Sequence, residues 1–490
     1  MSSIKTPDWV KDAIFYQIFP DRFAKSDRVA KSSNLEDWET PPTAMGFKGG
    51  DLLGVAEKLD FLCDLGINAI YFNPIFQSAA NHRYHTHDYY KVDPLLGGNE
   101  AFRLLIEQAH ARGIRIMLDG VFNHASRGFF QFNHILENGP ASPYLDWFHV
   151  YEFPVNAYDH SCAPQYAAWW NLHALPKFNT DTPAVRKFLW NIAEYWVQFG
   201  IDGWRLDVPG DIDDDEFWRE FRRRVKAINP DTYICGEIWH DARRWLQGDQ
   251  FDAVMNYLFT KLAIGFFVGQ NMVPELVQGM SYSPVPILDA PQMAQEVEQL
   301  LALYSPEITS VQLNLLGSHD TARFLSIANG DSSALKLATL FQMVYPGAPC
   351  IYYGDEVGLQ GGKDPGSRGT IPWHKPEWWD KDLLAFMRQA TALRHSQPAL
   401  RRGHYRTLYA EGMLYCFERA YEGEQLVIAF NASEQTTGFD LPVTGSSLTP
   451  LFGDGQQITI ENGHADIKLA ARSAVVWKVE SGSPPGCREC

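Results

Sequence analysis

Several things are scarce in these 490 residues, and each scarcity closes off a class of function. No uninterrupted apolar run is long enough to span a bilayer, and Met1 to Trp9 lacks the basic start and apolar core of a secretory leader. A cytoplasmic protein with no membrane partner is therefore expected. Cysteine is sparse and odd in number, at seven, and Cys63, Cys235 and Cys350 fall inside apolar segments where a free thiol behaves as a small hydrophobe. That pattern suits a reducing compartment. The one Cys-x-x-Cys, Cys487 to Cys490, lies in a Ser/Gly/Pro tail over 481–490 with no second pair, so it reads as terminal sequence and not as a metal or redox motif. Long blocks of one charge are also missing. The formal net charge of -17 is spread along the chain, which disfavours nucleic acid and anionic membranes and leaves a neutral or cationic ligand.

What the chain has in quantity is aromatic residues, with 15 Trp, 21 Tyr and 30 Phe, more than a core of this size requires. Flat ring faces suit flat sugar faces, although most of them must be packing residues. Short apolar strands alternate with amphipathic helical stretches, the pattern of repeated βα units. Eight strands can be placed: Ala13 to Phe19, Ala69 to Asn73, Ile114 to Asp119, Gly203 to Asp207, Thr232 to Glu237, Phe251 to Asn256, Gln312 to Leu316 and Cys350 to Tyr353. Helical spacing covers Leu52 to Leu65, Ala101 to Arg112, Ala184 to Phe199, Glu216 to Ile228 and Ala334 to Met343, and Gly66, Gly113 and Gly200 stand as C-caps before strands. Eight such units predict an α/β fold, a (β/α)8 TIM barrel. About sixty residues separate the third strand from the helix near Thr182, too many for an ordinary loop, so an inserted domain is expected over 122–178. The barrel then occupies 1–121 and 179–400, and short alternating strands over 401–480 predict a C-terminal antiparallel β-sandwich.

The stretch Ile201 to Pro209 carries chemistry on a strand. Side chains alternate, so Arg205 and Asp207 share a face, and a fixed cation beside a carboxylate favours its ionised form. A structural ion pair would look the same. What distinguishes the two is company: barrel active sites lie at the C-terminal ends of strands, and four strands here close on polar residues. They are Asp119 with Asn123 and His124, Arg205 with Asp207, Glu237 with Trp239, and His319 with Asp320. Carboxylates meeting at one mouth cannot all ionise cheaply, which splits their roles. Asp207 is expected to stay charged beside its Arg, Glu237 beside an apolar ring to keep its proton, and Asp320 to add negative charge near the reacting centre. A nucleophile, an acid and a stabiliser of a cationic transition state are the parts of retaining glycoside hydrolysis. A metal-dependent barrel hydrolase is the competing reading, resting on His85-Thr86-His87, which lacks an evident third ligand. A sugar-binding protein without catalysis is another, but it predicts a broken carboxylate set. The acidic run Asp211 to Glu216 reads as the start of a helix in preference to a metal site.

The segments Asp119-Gly120-Val121-Phe122-Asn123-His124, Gly203-Trp204-Arg205-Leu206-Asp207-Val208, Gly236-Glu237-Ile238-Trp239-His240 and Leu315-Leu316-Gly317-Ser318-His319-Asp320 resemble, in order, the four signature regions of the α-amylase family. Leu175-Pro176-Lys177-Phe178-Asn179 resembles a fifth region of the branch holding cyclomaltodextrinases, neopullulanases and maltogenic amylases. The resemblance implies Asp207 as nucleophile, Glu237 as acid/base and Asp320 as transition-state stabiliser. It further implies that Arg205 orients the nucleophile, that His124 and His319 bond sugar hydroxyls, that Tyr84 stacks under the reacting glucose, and that Trp239 meets the leaving side. Asp364 and Arg368 match positions holding the next glucose on the non-reducing side. The implied activity is α-glucan hydrolysis, α-1,4 or α-1,6, on maltooligosaccharides, cyclodextrins or pullulan, with transglycosylation; debranching of amylopectin or glycogen side chains is the alternative. Three departures accompany it. The branch usually starts with a dimer-building β domain, whereas the first barrel strand here begins near Ala13, so a monomer, or a homodimer made by another route, is expected. The family's calcium loop keeps Gly50, Asp51 and Asp27, yet Lys25, Ala30 and Lys31 stand where oxygen ligands belong, so no cofactor is required and calcium is disfavoured. Finally, His85 follows Tyr84 where the branch usually carries Asp.

Overall fold

The computed structural model describes residues 4–481, so the Cys487 to Cys490 pair and nearly all of the 481–490 tail lie outside the described residues. Eight parallel strands close into a barrel in chain order: β1 (Phe15–Ile18), β2 (Ala69–Phe72), β3 (Arg115–Gly120), β4 (Gly203–Leu206), β5 (Tyr233–Gly236), β6 (Ala253–Asn256), β7 (Leu313–Leu315) and β8 (Ala348–Tyr352). Phe15 pairs with Ala69 on one side and with Cys350 on the other, which completes the ring. One face of each strand fills the barrel and the other meets helices, so nearly every strand residue is buried, including polar ones such as Gln17, Arg205 and Asn314. The barrel expected from the βα pattern is thus formed.

Local rules explain most element ends. Gly66 and Gly113 take φ of +84° and +73°, turning helices into strands as only glycine does cheaply. Asp214 caps the helix Asp215–Ile228 by accepting the Phe217 amide at 3.0 Å, with Asp215 and Glu216 in its first turn, so the acidic run serves that helix. The helix expected over Leu52 to Leu65 is instead two, Leu52–Ala56 and Leu59–Asp64. Gly54 lies against the Ala24 backbone, where a Cβ would sit 2.5 Å from the carbonyl oxygen, and the Lys58 amide closes a tight turn on Val55 that separates the halves.

After β3 the chain leaves the barrel. Residues 122–178 hold one α-helix, Phe130–Asn138, three short 3-10 turns, and single bridges such as His124 to Lys177 and Phe148 to Phe178, packed around Phe129, Phe132, Phe148 and Tyr166. The chain rejoins the barrel through the helix Pro183–Phe199. The C-terminal strands are β9 (His404–Glu411), β10 (Leu414–Tyr421), β11 (Glu424–Asn431), β12 (Thr437–Pro442), β13 (Ser447–Phe452), β14 (Ile458–Thr459), β15 (His464–Leu469) and β16 (Ser473–Glu480). They form an antiparallel six-stranded sheet, β9-β10-β11-β16-β13-β14, faced by the ribbon β12-β15. Alternation divides the two sides: Tyr415, Phe417, Ile428 and Phe430 pack toward the barrel, and Leu414, Cys416, Val427 and Ala429 toward the ribbon. Among the described residues no helix is long and apolar enough to cross a membrane.

One buried carboxyl beside β8 makes stability depend on pH. Glu356 is fully buried; its Oε1 accepts the Tyr16 hydroxyl at 2.8 Å and its Oε2 the Gly354 amide at 2.9 Å. Burial pushes it from the ordinary 4.5 up to about 7. A carboxyl raised on folding favours the folded state below its unfolded value, and that contribution is lost as pH rises from 4.5 through about 7. Over that window the loss is about 3 kcal/mol. Relative to the wild type, Glu356→Gln should therefore gain about that much stability between pH 4 and pH 8 in urea unfolding. A constant difference at the two pH values would rule the reading out.

Candidate active site

The C-terminal ends of the strands converge on Arg205. Strand pairing sets Asp119 of β3 directly beside Arg205 of β4. The guanidinium, wholly buried, lies 2.8 Å from Asp119 Oδ1 and 2.9 Å from Asp207 Oδ1 through Nη1, and 2.9 Å from Glu237 Oε1 through Nη2. This corrects the simple Arg205–Asp207 pair expected from alternation, because one cation is shared by three carboxylates on three strands. It also corrects the expected outcome for Asp207. Burial first, then repulsion from Glu237, Asp119 and Asp320, pushes the Asp207 carboxyl above its ordinary range despite Arg205. Asp119 rises to about 6 through burial against the pull of Arg205, and Glu237 rises through burial as well. Hydrogen-bond direction distinguishes the members. Aligned guanidinium bonds go to Asp119 and Asp207, whereas Nη2 has no aligned acceptor although Glu237 is near. Glu237 takes only the Val208 amide at 3.1 Å and the Trp239 indole at 3.2 Å. Of the three it is the carboxyl to which the guanidinium makes no aligned bond.

Val208, between these groups, sits at φ +37° and ψ +49°. A β-branched residue in the left-handed region is strained by roughly 1–3 kcal/mol. Its amide donates to Glu237 Oε2 at 3.1 Å.

A second network fixes Tyr84 and His319. The Tyr84 hydroxyl donates to Asp119 Oδ2 at 2.8 Å and accepts from Asn73 Nδ2 at 3.0 Å. His319 Nδ1 faces two amide donors, Gln17 Nε2 at 2.9 Å and Asn73 Nδ2 at 3.0 Å. With those side-chain amides so assigned, the His319 proton belongs on Nε2, which lies 2.7 Å from the Tyr84 oxygen and 3.2 Å from Asp320 Oδ2. Burial holds His319 well below its usual range, so it is neutral. The Tyr84 and His319 rings are nearly parallel, at 11°.

Asp320 is less enclosed than Asp207 or Glu237, with a third of its side chain exposed. Arg368 Nη2 reaches its Oδ1 at 3.5 Å while Nη1 holds Asp364 at 3.0 Å, so Arg368 joins these two carboxylates. His124 is buried, and burial lowers it to about 3. Its Nε2 and the neighbouring Asn123 Oδ1 have no protein partner, so both retain hydrogen-bonding capacity for a ligand. Trp239 lies flat on Tyr257 at 3.5 Å and 2°.

The residues singled out from the sequence for catalysis and sugar binding lie at or around this barrel mouth. Others there were not singled out: Gln17 and Asn73 at the ends of β1 and β2, Tyr71, which donates to Asp119 at 3.0 Å, Tyr257 after β6, and Trp169, which stacks on His124. Asn73 did carry a signal, as a polar residue closing an apolar run, and Gln17 stands as a lone polar residue inside one. The residues of the alternative readings do something else. His87 packs against Gly128, where a Cβ would sit 2.4 Å from its ring, and His85 lies edge-on to His82 at 4.9 Å. Among the described residues no three His, Cys, Asp or Glu side chains converge as a metal site. In the loop compared with a calcium site, Asp51 Oδ1 caps a helix through the Gly54 amide, and its Oδ2 accepts the Ser26 amide and the Lys31 ammonium.

Comparison with known proteins agrees with this geometry. Residues 17–397 match the α-amylase catalytic domain, and residues 403–477 match an α-amylase C-terminal domain. A cyclomaltodextrinase from Geobacillus thermopakistaniensis is 41% identical over 97% of this chain and 78% of its own length. Neopullulanase 2 from Thermoactinomyces vulgaris is 39% identical over 96% and 78%. An acarbose-soaked debranching enzyme from Nostoc punctiforme is 50% identical, with a TM-score of 0.88 over 97% of this chain and 100% of that one. By its catalytic-domain match and by relatives of this identity and coverage, the chain belongs to the α-amylase family of glycoside hydrolases.

Proposed function

We propose that this enzyme hydrolyses α-glucans with retention, acting on α-1,4 bonds of maltooligosaccharides and cyclodextrins and transferring glycosyl units to acceptor sugars. The observation that carries the reading is the meeting of Asp207 and Glu237 at Arg205, with aligned guanidinium bonds on the former and none on the latter. Asp207 attacks the anomeric carbon as Glu237 gives its proton to the departing glycosidic oxygen, forming a glycosyl ester on Asp207. Glu237, now ionised, takes a proton from water, whose oxygen displaces Asp207; a sugar hydroxyl in place of water gives transfer. Asp320 supplies negative charge to the oxocarbenium-like transition state. His124 and His319 bond the reacting sugar, Tyr84 stacks beneath it, Trp239 lines the leaving side, and Asp364 with Arg368 holds the neighbouring unit.

A second reading, α-1,6 debranching, is favoured by the likeness to the Nostoc debranching enzyme over that whole chain. Product analysis on β-cyclodextrin, pullulan and amylopectin side by side separates the two. The first reading expects cyclodextrin opening and panose from pullulan; maltotriose from pullulan with linear chains from amylopectin would replace it with the second. The Lys31 ammonium on Asp51 supports activity without calcium, so the same assays in EDTA should give unchanged rates. A reducing, cytoplasmic setting is supported by Cys235, Cys350 and Cys416, which are buried and unpaired, whereas Cys63, expected to be a buried hydrophobe, is exposed.

A further inference from the structure

Trp170, in the segment that returns the inserted domain to the barrel, is 78% exposed. It is held there at a cost. Its backbone takes φ +50° and ψ +28°, and Asn171 follows at φ +57°. Asn tolerates the left-handed region, but a bulky Trp there is strained, in a way found at ligand clamps and active sites. The indole packs on Trp169 with centroids 4.6 Å apart and planes within 10°, and Trp169 packs on His124 at 5.4 Å and 22°. Trp169 is anchored from the barrel side: its indole N–H donates to Asp211 Oδ2 at 2.8 Å, and the Lys177 ammonium holds the Asp211 carbonyl at 2.6 Å. Three near-parallel rings therefore run outward from the buried, unpartnered Nε2 of His124 to the open face of an exposed tryptophan.

A pyranose presents a flat face of C–H groups edged by hydroxyls, and an indole offers it an apolar face of matching size. Both faces of Trp169 are covered, one by His124 and one by Trp170, so the free face of the stack is that of Trp170, and the glucan bonded at His124 is the occupant on hand for it. We propose that Trp169 and Trp170 form an aromatic track whose outer end, Trp170, is a stacking subsite for glucose units beyond those at the cleavage centre. The track makes affinity depend on chain length, and it rests on the glucan-hydrolase reading above.

The test measures binding by calorimetry in the Glu237→Gln background, so that chains are held without turnover whatever the linkage cleaved. Trp170→Ala should weaken maltohexaose about fivefold to tenfold and maltotriose by less than about twofold, and Trp170→Phe should restore most of the loss. Such an exposed side chain is not needed for folding, which a matching unfolding midpoint would verify. An unchanged dissociation constant for maltohexaose, or equal weakening of both sugars, would overturn the track alone. Failure of the Trp170-containing protein to bind either sugar would overturn the glucan reading and the track with it.

Discussion

Asp207→Asn is expected to lower kcat on maltooligosaccharides by about 10⁴-fold or more, with the urea unfolding midpoint preserved. An amide cannot form the glycosyl ester, so the double displacement loses its first covalent step. The fold should tolerate the change because Asn Oδ1 still accepts the Arg205 bond, and one negative charge leaves a cluster in which a single buried cation serves three carboxylates. Glu237→Gln should cost about 10²–10⁴ in kcat on the same substrates, and here the leaving group gives the sharper reading. Fluoride departs without being protonated. On maltosyl fluoride the Glu237→Gln enzyme should recover most of its glycosylation rate, whereas Asp207→Asn should recover none. Equal losses of Glu237→Gln on fluoride and on maltooligosaccharide would show that Glu237 is not the acid. Asp207→Asn with near wild-type turnover would show that the nucleophile lies elsewhere.

Much of this site was legible before any coordinate. Residues that end apolar runs, such as Asp119, Glu237 and His319, stand out because a strand interior has no use for them, and barrel geometry brings strand ends together. Ring closure is also what hid the rest. Gln17 bonds His319 across 302 residues, and that contact exists only because β1 and β7 both end at the mouth. Pairwise alternation along β4 shows Arg205 beside Asp207 but is blind to Asp119 and Glu237, which approach from β3 and β5. The expectation of an isolated ion pair, and of a lowered Asp207, failed for that reason. Backbone strain is equally invisible: nothing in Leu206-Asp207-Val208-Pro209 announces a valine at φ +37°. The inserted segment declared itself by length and aromatic content, while the stacking order from His124 through Trp169 to Trp170 depends on how the segment folds back.

The sharing of Arg205 has its own consequence, which Arg205→Lys exposes. Arginine presents a planar fork to several acceptors, whereas the lysine ammonium is a point charge on a flexible stem. At this position it can approach one carboxylate closely but cannot span Asp119, Asp207 and Glu237, which now lie within 2.8–2.9 Å of two guanidinium nitrogens. The carboxyls left without the cation remain buried, so their proton affinity rises further. Breaking a buried ion pair in this way costs about 3–5 kcal/mol, and the sign of its pH dependence follows. Protonation relieves a buried, unpaired carboxylate, so a folded-state pKa raised further takes stability away as pH climbs through it. Arg205→Lys should be destabilised more at pH 8 than at pH 5 in denaturant unfolding. The acidic limb of its kcat/KM profile should also move upward, because Asp207 must ionise to attack and now does so later. An unmoved acidic limb, together with the same stability deficit at both pH values, would mean that Arg205 serves Asp119 alone as a structural ion pair.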